Sequence, residues 1–121
     1  MITFEKVTIE NESVVKEMFK SHSLGEKKVQ YCVKVDDTYI GVIDYSVQEE
    51  RAVLSQLIIH FDYQGYGYGY GTNTYFTFEE MMKQRNVKEI KVLQEELTEK
   101  AHSFIESFGF TSEDGAYVKK I

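Results

Sequence analysis

Apolar and polar residues alternate from the first positions of the chain. MITFEKVTIE is rich in β-branched side chains and predicts a strand over Met1–Ile9. Asn11 can cap a helix over Glu12–His22, in which Val14, Val15, Met18 and Phe19 share one face, and Leu24-Gly25 ends it. From Val29 to Val35 the alternation returns, with Val29, Tyr31, Val33 and Val35 on one side and Gln30, Cys32 and Lys34 on the other. Asp36-Asp37 is a turn signal, and Thr38–Val47 completes an antiparallel hairpin. The polar run Gln48–Arg51 is the next turn. Ala52–Phe61 is nearly continuous in apolar residues, which predicts a central strand buried on both faces.

A helical period then sets in over Thr72–Arg85. Tyr75, Phe78 and Met82 share a face, Glu79 and Lys83 are spaced to pair, and Asn86 is a left-handed terminator. Val87–Leu93 reads as a strand. Thr98 can cap a helix to Phe108, with Ala101, Phe104, Ile105 and Phe108 inward and Gly109 as its stop. Ala116–Ile121 fits a last strand. The order is β-α-β-β-β-α-β-α-β, an α/β chain with a mixed sheet and one βαβ crossover in the middle, expected as a single domain over residues 1–121.

Composition narrows the function. Aromatic residues make up 14% of the 121 positions, enough to build a core and to argue against disorder. No apolar run is long enough to span a membrane, and the first residues lack the apolar stretch of a secretory signal. One cysteine, Cys32, excludes an internal disulfide and points to a reducing compartment, so the expected location is cytoplasmic. The net charge of −6 opposes contact with a phosphate backbone, and nucleic acid is not expected as a partner. No His/Cys/Asp spacing suggests a metal site.

Half of the eight glycines fall in QGYGYGYG, Gln64–Gly71, between the most apolar strand and a helix. Glycines let a backbone approach a ligand closely, and the first N–H groups of a helix favour an anion. The nucleotide P-loop is excluded because no Lys lies in the stretch, and the dinucleotide fingerprint fails because Thr72 stands where its third Gly is needed. The spacing present is Gln-x-x-Gly-x-Gly, at Gln64, Gly67 and Gly69.

That spacing resembles motif A of the GNAT superfamily of acyl-CoA-dependent N-acetyltransferases. LIIHFDYQGYGYG is similar to the family's strand-to-loop run, with Phe61 where Pro is common. AHSFIESFGF, Ala101–Phe110, is similar to its later Ala-x-x-hydrophobic-Tyr-Glu-x-hydrophobic-Gly-Phe segment. The resemblance covers Ala52–Phe110 in motifs and the first fifty residues in element order. It implies a GNAT-like acyl-CoA N-acyltransferase fold with acetyl-CoA as co-substrate and no metal. The diphosphate would sit on amides of Gln64, Gly65, Tyr66, Gly67, Tyr68 and Gly69. The pantetheine arm would lie where the ends of Ala52–Phe61 and Val87–Leu93 splay, pairing with main-chain groups near Leu57 and Ile59. An N–H there would polarise the thioester carbonyl. Thr98 stands where an Asn commonly contacts the cofactor. The acceptor would be the amine of a small molecule or peptide, and a homodimer is in keeping with similar proteins.

Two departures bear on catalysis. Ile105 occupies the position of the Tyr that commonly protonates the leaving thiolate, and Tyr66, Tyr68 and Tyr70 replace basic loop residues. An amine must also lose a proton before it attacks. His60 is the nearest titratable residue to the loop, with Asp44 or Glu50 acting through water as alternatives. The same residues admit plainer readings: a catalytically impaired acyl-CoA-binding or regulatory module, or an interaction domain whose glycine loop is only a turn. The cluster Tyr63–Tyr75 either lines an acceptor pocket or packs in the core, as Phe76, Phe78, Met81 and Met82 do. His22 and His102 read as solvated residues, Glu95, Glu96 and Glu99 as a solvated face, and Cys32 as a side chain pointing away from the core.

Overall fold

The structure is a computed structural model describing residues 1–19, 30–60, 63, 69–94 and 99–121. The elements are β1 (Ile2–Lys6), α1 (Glu12–Phe19), β2 (Tyr31–Val35), β3 (Thr38–Gln48), β4 (Arg51–Ile59), α2 (Tyr70–Gln84), β5 (Glu89–Leu93), α3 (Glu99–Glu106), β6 (Thr111–Glu113) and β7 (Ala116–Lys120). The strands form one mixed sheet in the order β1-β2-β3-β4-β5-β7-β6. β4 and β5 are parallel and joined through α2, which is the expected crossover.

The element that the apolar pattern does not predict is β6. Its three residues are all exposed, so no alternation betrays it. It exists because Asp114 and Gly115 both take positive φ, 47° and 81°, and form the tight turn that folds β6 onto β7. α2 begins at Tyr70, two positions before the expected Thr72, so Tyr70 and Gly71 belong to the helix and not to the loop. Asn86, at φ 63°, ends its last turn as expected. The helix stop at Leu24-Gly25 lies outside the described residues.

The chain divides into two compact units. The first comprises Met1–Asp44 with Gln56–Phe78. Its apolar cluster joins Val15 of α1 to Cys32 of β2 and Val42 of β3, with Val7, Tyr39 and Ile58 packed against it. Both faces of β2 are covered: Cys32 and Val33 are each fully buried. The strict alternation read for this strand therefore does not hold, and Cys32 is a core residue. Its Sγ–H donates to the Glu5 carbonyl at 3.3 Å, and burial pushes its pKa up to about 11. Asn11 acts differently from a usual cap. Its Oδ1 accepts from the Thr8 N–H at 2.7 Å and its Nδ2 donates to the Lys6 carbonyl at 3.1 Å, pinning the chain ahead of α1.

The second unit comprises Tyr45–Ser55 with Glu79–Ile121. β5 and β7 pair along their whole length, from Glu89↔Lys120 to Leu93↔Ala116. Met82, Val87, Ile90, Ile105, Phe108 and Phe110 supply its core. Two polar tethers cross it. Glu79, nearly buried, holds Lys119 Nζ at 2.5 Å and Lys83 Nζ at 3.7 Å. On α3, Glu106 accepts from the Tyr117 hydroxyl at 2.8 Å, and that same hydroxyl lies 3.0 Å from His102 Nδ1. The set is complete when His102 Nδ1 carries its proton and donates to Tyr117. The bond to Glu106, with burial, raises the Tyr117 pKa. His102 is thus half-buried in a network and not a solvated residue, because β7 brings Tyr117 beneath it.

Candidate functional site

β4 reaches the site through a change in its surroundings. Ala52 and Leu54 are buried, as a central strand requires, but Gln56, Leu57 and Ile58 are only half-buried and Ser55 is exposed. The expectation of burial on both faces fails: Ala52 and Leu54 are buried on one face, while on the other Arg51 and Ser55 are exposed and Val53 is half-buried. The parallel register with β5 runs over Arg51↔Glu89, Ala52↔Ile90 and Val53↔Lys91. Apolar side chains left half-open at a strand end are candidates for contact with a ligand.

Beyond Ile59, which is buried, the His60 N–H donates to the Ile40 carbonyl of β3 at 2.8 Å and the chain turns, with Tyr63 N–H donating back to the His60 carbonyl at 2.9 Å. Three rings follow one another across this turn. His60 and Tyr63 are 6.3 Å apart and Tyr63 and Tyr70 6.2 Å apart, both edge-on. Aromatic packing of this kind ties the end of β4 to the first residue of α2. All three side chains are half-buried.

Gly69, directly before α2, takes φ 63°, and a Cβ there would meet nothing within 4 Å among the described residues. Its carbonyl accepts the Asn73 N–H at 2.9 Å, the first full turn of α2. The N–H groups of a helix's first turn precede any acceptor within the helix, and in α2 these include Gly71 and Thr72. No acidic side chain stands in that turn. The N-terminal end of α2 therefore carries the positive end of its dipole uncompensated by a carboxylate of its own.

The predicted site residues divide accordingly. Leu57 and Ile59 lie in the last part of β4, His60 directly follows it, and Gly69 directly precedes α2. Gln64, Gly65, Tyr66, Gly67, Tyr68 and Thr98 lie outside the described residues, as do His22, Glu95 and Glu96. Tyr75 is fully buried against Phe76 and Phe78, so that part of the tyrosine cluster is core. Phe78 and Met82 are likewise buried, whereas Phe76 is exposed on the outer side of α2.

The alternative bases separate. Asp44 is buried and its Oδ1 accepts from the Gln30 N–H at 2.6 Å, so it serves the start of β2. Burial raises its pKa, and bonds from the Gln30 and Tyr31 N–H groups oppose the rise. Glu50 lies exposed in the turn before β4, where its carbonyl accepts from Lys88 and Glu89. Of the three, His60 alone sits beside the described part of the loop. Ile105 is buried in the second unit. Among the described residues no group of three or more His, Cys, Asp or Glu could hold a metal ion, and no helix is long and apolar enough to cross a membrane.

The described residues form a mixed seven-stranded sheet with three helices. This is the architecture of the GNAT acyltransferases. The chain belongs to the acetyltransferase (GNAT) family, whose model matches residues 3–110. Solved structures share the fold at low identity. An acetyltransferase from Thermus thermophilus is 17% identical, with a TM-score of 0.77, covering 100% of this chain and 97% of its own. The PaiA N-acetyltransferase of Thermoplasma acidophilum, solved in complex with coenzyme A, is 17% identical with a TM-score of 0.69, covering 100% and 99%. Naa50 of Arabidopsis thaliana, in complex with the bisubstrate analogue CoA-Ac-MVNAL, is 19% identical with a TM-score of 0.69, covering 97% and 95%. No curated protein matches the chain by sequence.

Proposed function

We propose that the protein is an acetyl-CoA-dependent N-acetyltransferase of one domain that passes the acetyl group directly to an amine. The observations that carry this reading are the half-open last part of β4, Gly69 at φ 63° directly before α2, and a first turn of α2 without acidic side chains. The diphosphate of the donor is held by main-chain N–H groups from Gln64 to Gly69 and on into Gly71 and Thr72, where the helix leaves donors for an anion. The pantetheine arm adds to β4 along Leu57–Ile59 as an extra strand would. Thr98 is a further contact to the donor. An N–H of the Leu57–Ile59 segment bonds the thioester carbonyl and stabilises the oxyanion as the amine nitrogen attacks. The C–S bond then breaks, the amide forms, and the thiolate takes up the proton that the amine releases. His60 is the proposed base that removes it, by position beside the loop. A small-molecule or peptide amine is the acceptor; the peptide-bearing analogue on the Arabidopsis structure supports the second. The proposed setting is the cytoplasm, as a monomer or homodimer.

One observation favours a second reading, an acyl-CoA-binding module without turnover. Ile105, 6% exposed, stands at the position of the usual acid and has no proton to give. Two measurements separate the readings. Calorimetry with acetyl-CoA is expected to show binding, weakened on the order of tenfold in Thr72→Asp, which sets a negative charge at an exposed position in the first turn of α2. Absence of binding removes both readings. Acceptor-dependent release of free CoA thiol across an amine panel supports the enzyme, and binding without release supports the module.

A further inference from the structure

The turn between β3 and β4 and the start of β5 flank an open cleft of about 400 Å³, a size that suits a small ligand. The cleft belongs to the second unit. Its lining includes Glu49 and Glu50 of the turn, Arg51 and Val53 of β4, and Lys88 and Glu89 where β5 begins. Main-chain bonds fix its walls. The Lys88 and Glu89 N–H groups both donate to the Glu50 carbonyl, at 2.7 and 3.2 Å, and the Lys88 carbonyl accepts from the Ile121 N–H at 2.9 Å. Arg51 and Glu89 are partners in the parallel register, and Arg51 Nε donates to Glu89 Oε2 at 2.5 Å. The cleft therefore stands ready-made, as small-ligand sites usually do.

Its charges decide what it can hold. Arg51 spends one of its five N–H donors on Glu89 and keeps the rest of the guanidinium. The Glu49, Glu50 and Lys88 side chains make no hydrogen bond or ion pair among the described residues. A ligand with only negative charge would meet the two turn carboxylates, and one with only positive charge would meet Lys88 and Arg51. A molecule that carries both signs a few atoms apart answers both. Val53, half-buried, adds an apolar surface for a short carbon frame. Glu49 is also unusual in its backbone, at φ 58°. The other described non-glycine residues at positive φ are Asp36, Asn86 and Asp114, whose short side chains tolerate that conformation. A glutamate there is not explained by the turn alone. We propose that this cleft binds a free amino acid as its zwitterion, the carboxylate paired with Arg51 and Lys88 and the ammonium with Glu49 and Glu50. The proposal does not rest on the acetyltransferase reading.

The test titrates the isotope-labelled protein with each proteinogenic amino acid and follows the amide resonances of residues 48–53, 88 and 89. At least one amino acid is expected to move them together and saturably, with a Kd on the order of 1 mM or tighter. If none does so by about 10 mM, the proposal falls. For the amino acid that binds, N-acetylation of the amine and methyl esterification of the carboxylate are each expected to weaken binding at least about tenfold. An analogue that keeps its affinity shows a site for one charge only and overturns the assignment. Glu49→Asn separates binding from folding. Affinity is expected to fall about threefold to tenfold while the urea midpoint holds or rises, because Asn suits the left-handed backbone. Affinity lost only together with stability, or full affinity in both Glu49→Asn and Lys88→Gln, overturns the proposal. Shifts of the same amides that follow protein concentration without any amino acid would assign the cleft to a second copy of the chain, and would overturn it too.

Discussion

The two units of the chain are held in opposite ways. In the first, the junction near the site depends on apolar fit and on an atom that is missing. Val15, Cys32 and Val42 close an apolar cluster, and Gly41 leaves room for a carbonyl. In the second, charged and hydroxyl groups cross the structure: Glu79 reaches Lys119 from α2 to β7, and His102 and Glu106 reach Tyr117 from α3 to β7. The difference teaches where each half is vulnerable. Added volume damages the first unit at Gly41, because its strands are in van der Waals contact with no slack. Lost hydrogen-bonding groups damage the second, because the buried Glu79 carboxylate and the half-buried His102 each lose a partner.

The sharpest break of this comparison is Lys119→Ala. It removes the shorter of the two ion pairs shown for the buried Glu79 carboxylate, at 2.5 Å against 3.7 Å for Lys83. Chemical denaturation is expected to show a loss of about 3 kcal/mol, the lower end for breaking a buried pair since the lysine is partly exposed. A loss below about 0.5 kcal/mol would place this pair with ordinary surface pairs and undo the contrast. Next comes Val42→Ala in the first unit. Removing two buried methyl groups is expected to cost about 2 kcal/mol by the same measurement. Were the first unit held chiefly by polar contacts, the variant would be nearly neutral.

Tyr117→Phe keeps the ring and removes the hydroxyl that joins His102 to Glu106. The expected cost is about 1 kcal/mol, and His102 should lose its restricted ring environment by NMR. No change in either would mean that α3 is held by its apolar face alone. The smallest effect concerns pH. Burial raises the Asp44 pKa above its ordinary 3.8, so folding favours the protonated form. Its contribution to stability is fully present below the unfolded value and is lost as pH rises through the raised native value. Urea midpoints of wild type relative to Asp44→Asn should therefore fall as pH rises through that window. A relative rise would show that the bonds from the Gln30 and Tyr31 N–H groups outweigh burial.

Much of the architecture was legible in the residues. The crossover through α2, the hairpin at Asp36-Asp37 and the stops at Asn86 and Gly109 follow from period and turn chemistry, which are local properties. The strand and the helix on either side of the glycine-rich stretch were also legible, β4 from its apolar run and α2 from its helical period. β6 was not, because an exposed three-residue strand has no apolar pattern to read. The tether at His102 was hidden for a related reason. A helical wheel shows which side of α3 is polar but not that β7, far along the chain, supplies a phenol there. Gly41 gave no signal at all: a single glycine in a strand pattern looks like a weak position, and only the neighbouring Ile58 carbonyl makes it necessary.

The sequence by itself determined the family and the types and order of the elements other than β6, because hydrophobic period, turn residues and motif spacing act over a few neighbouring positions. Tertiary structure alone decided that Cys32 is buried, that Glu79 and Tyr117 are bridges, and that the end of β4 is shaped by an empty place on β3. Those are contacts between residues distant in the chain, and their energies depend on which surfaces meet after folding, which no local pattern encodes.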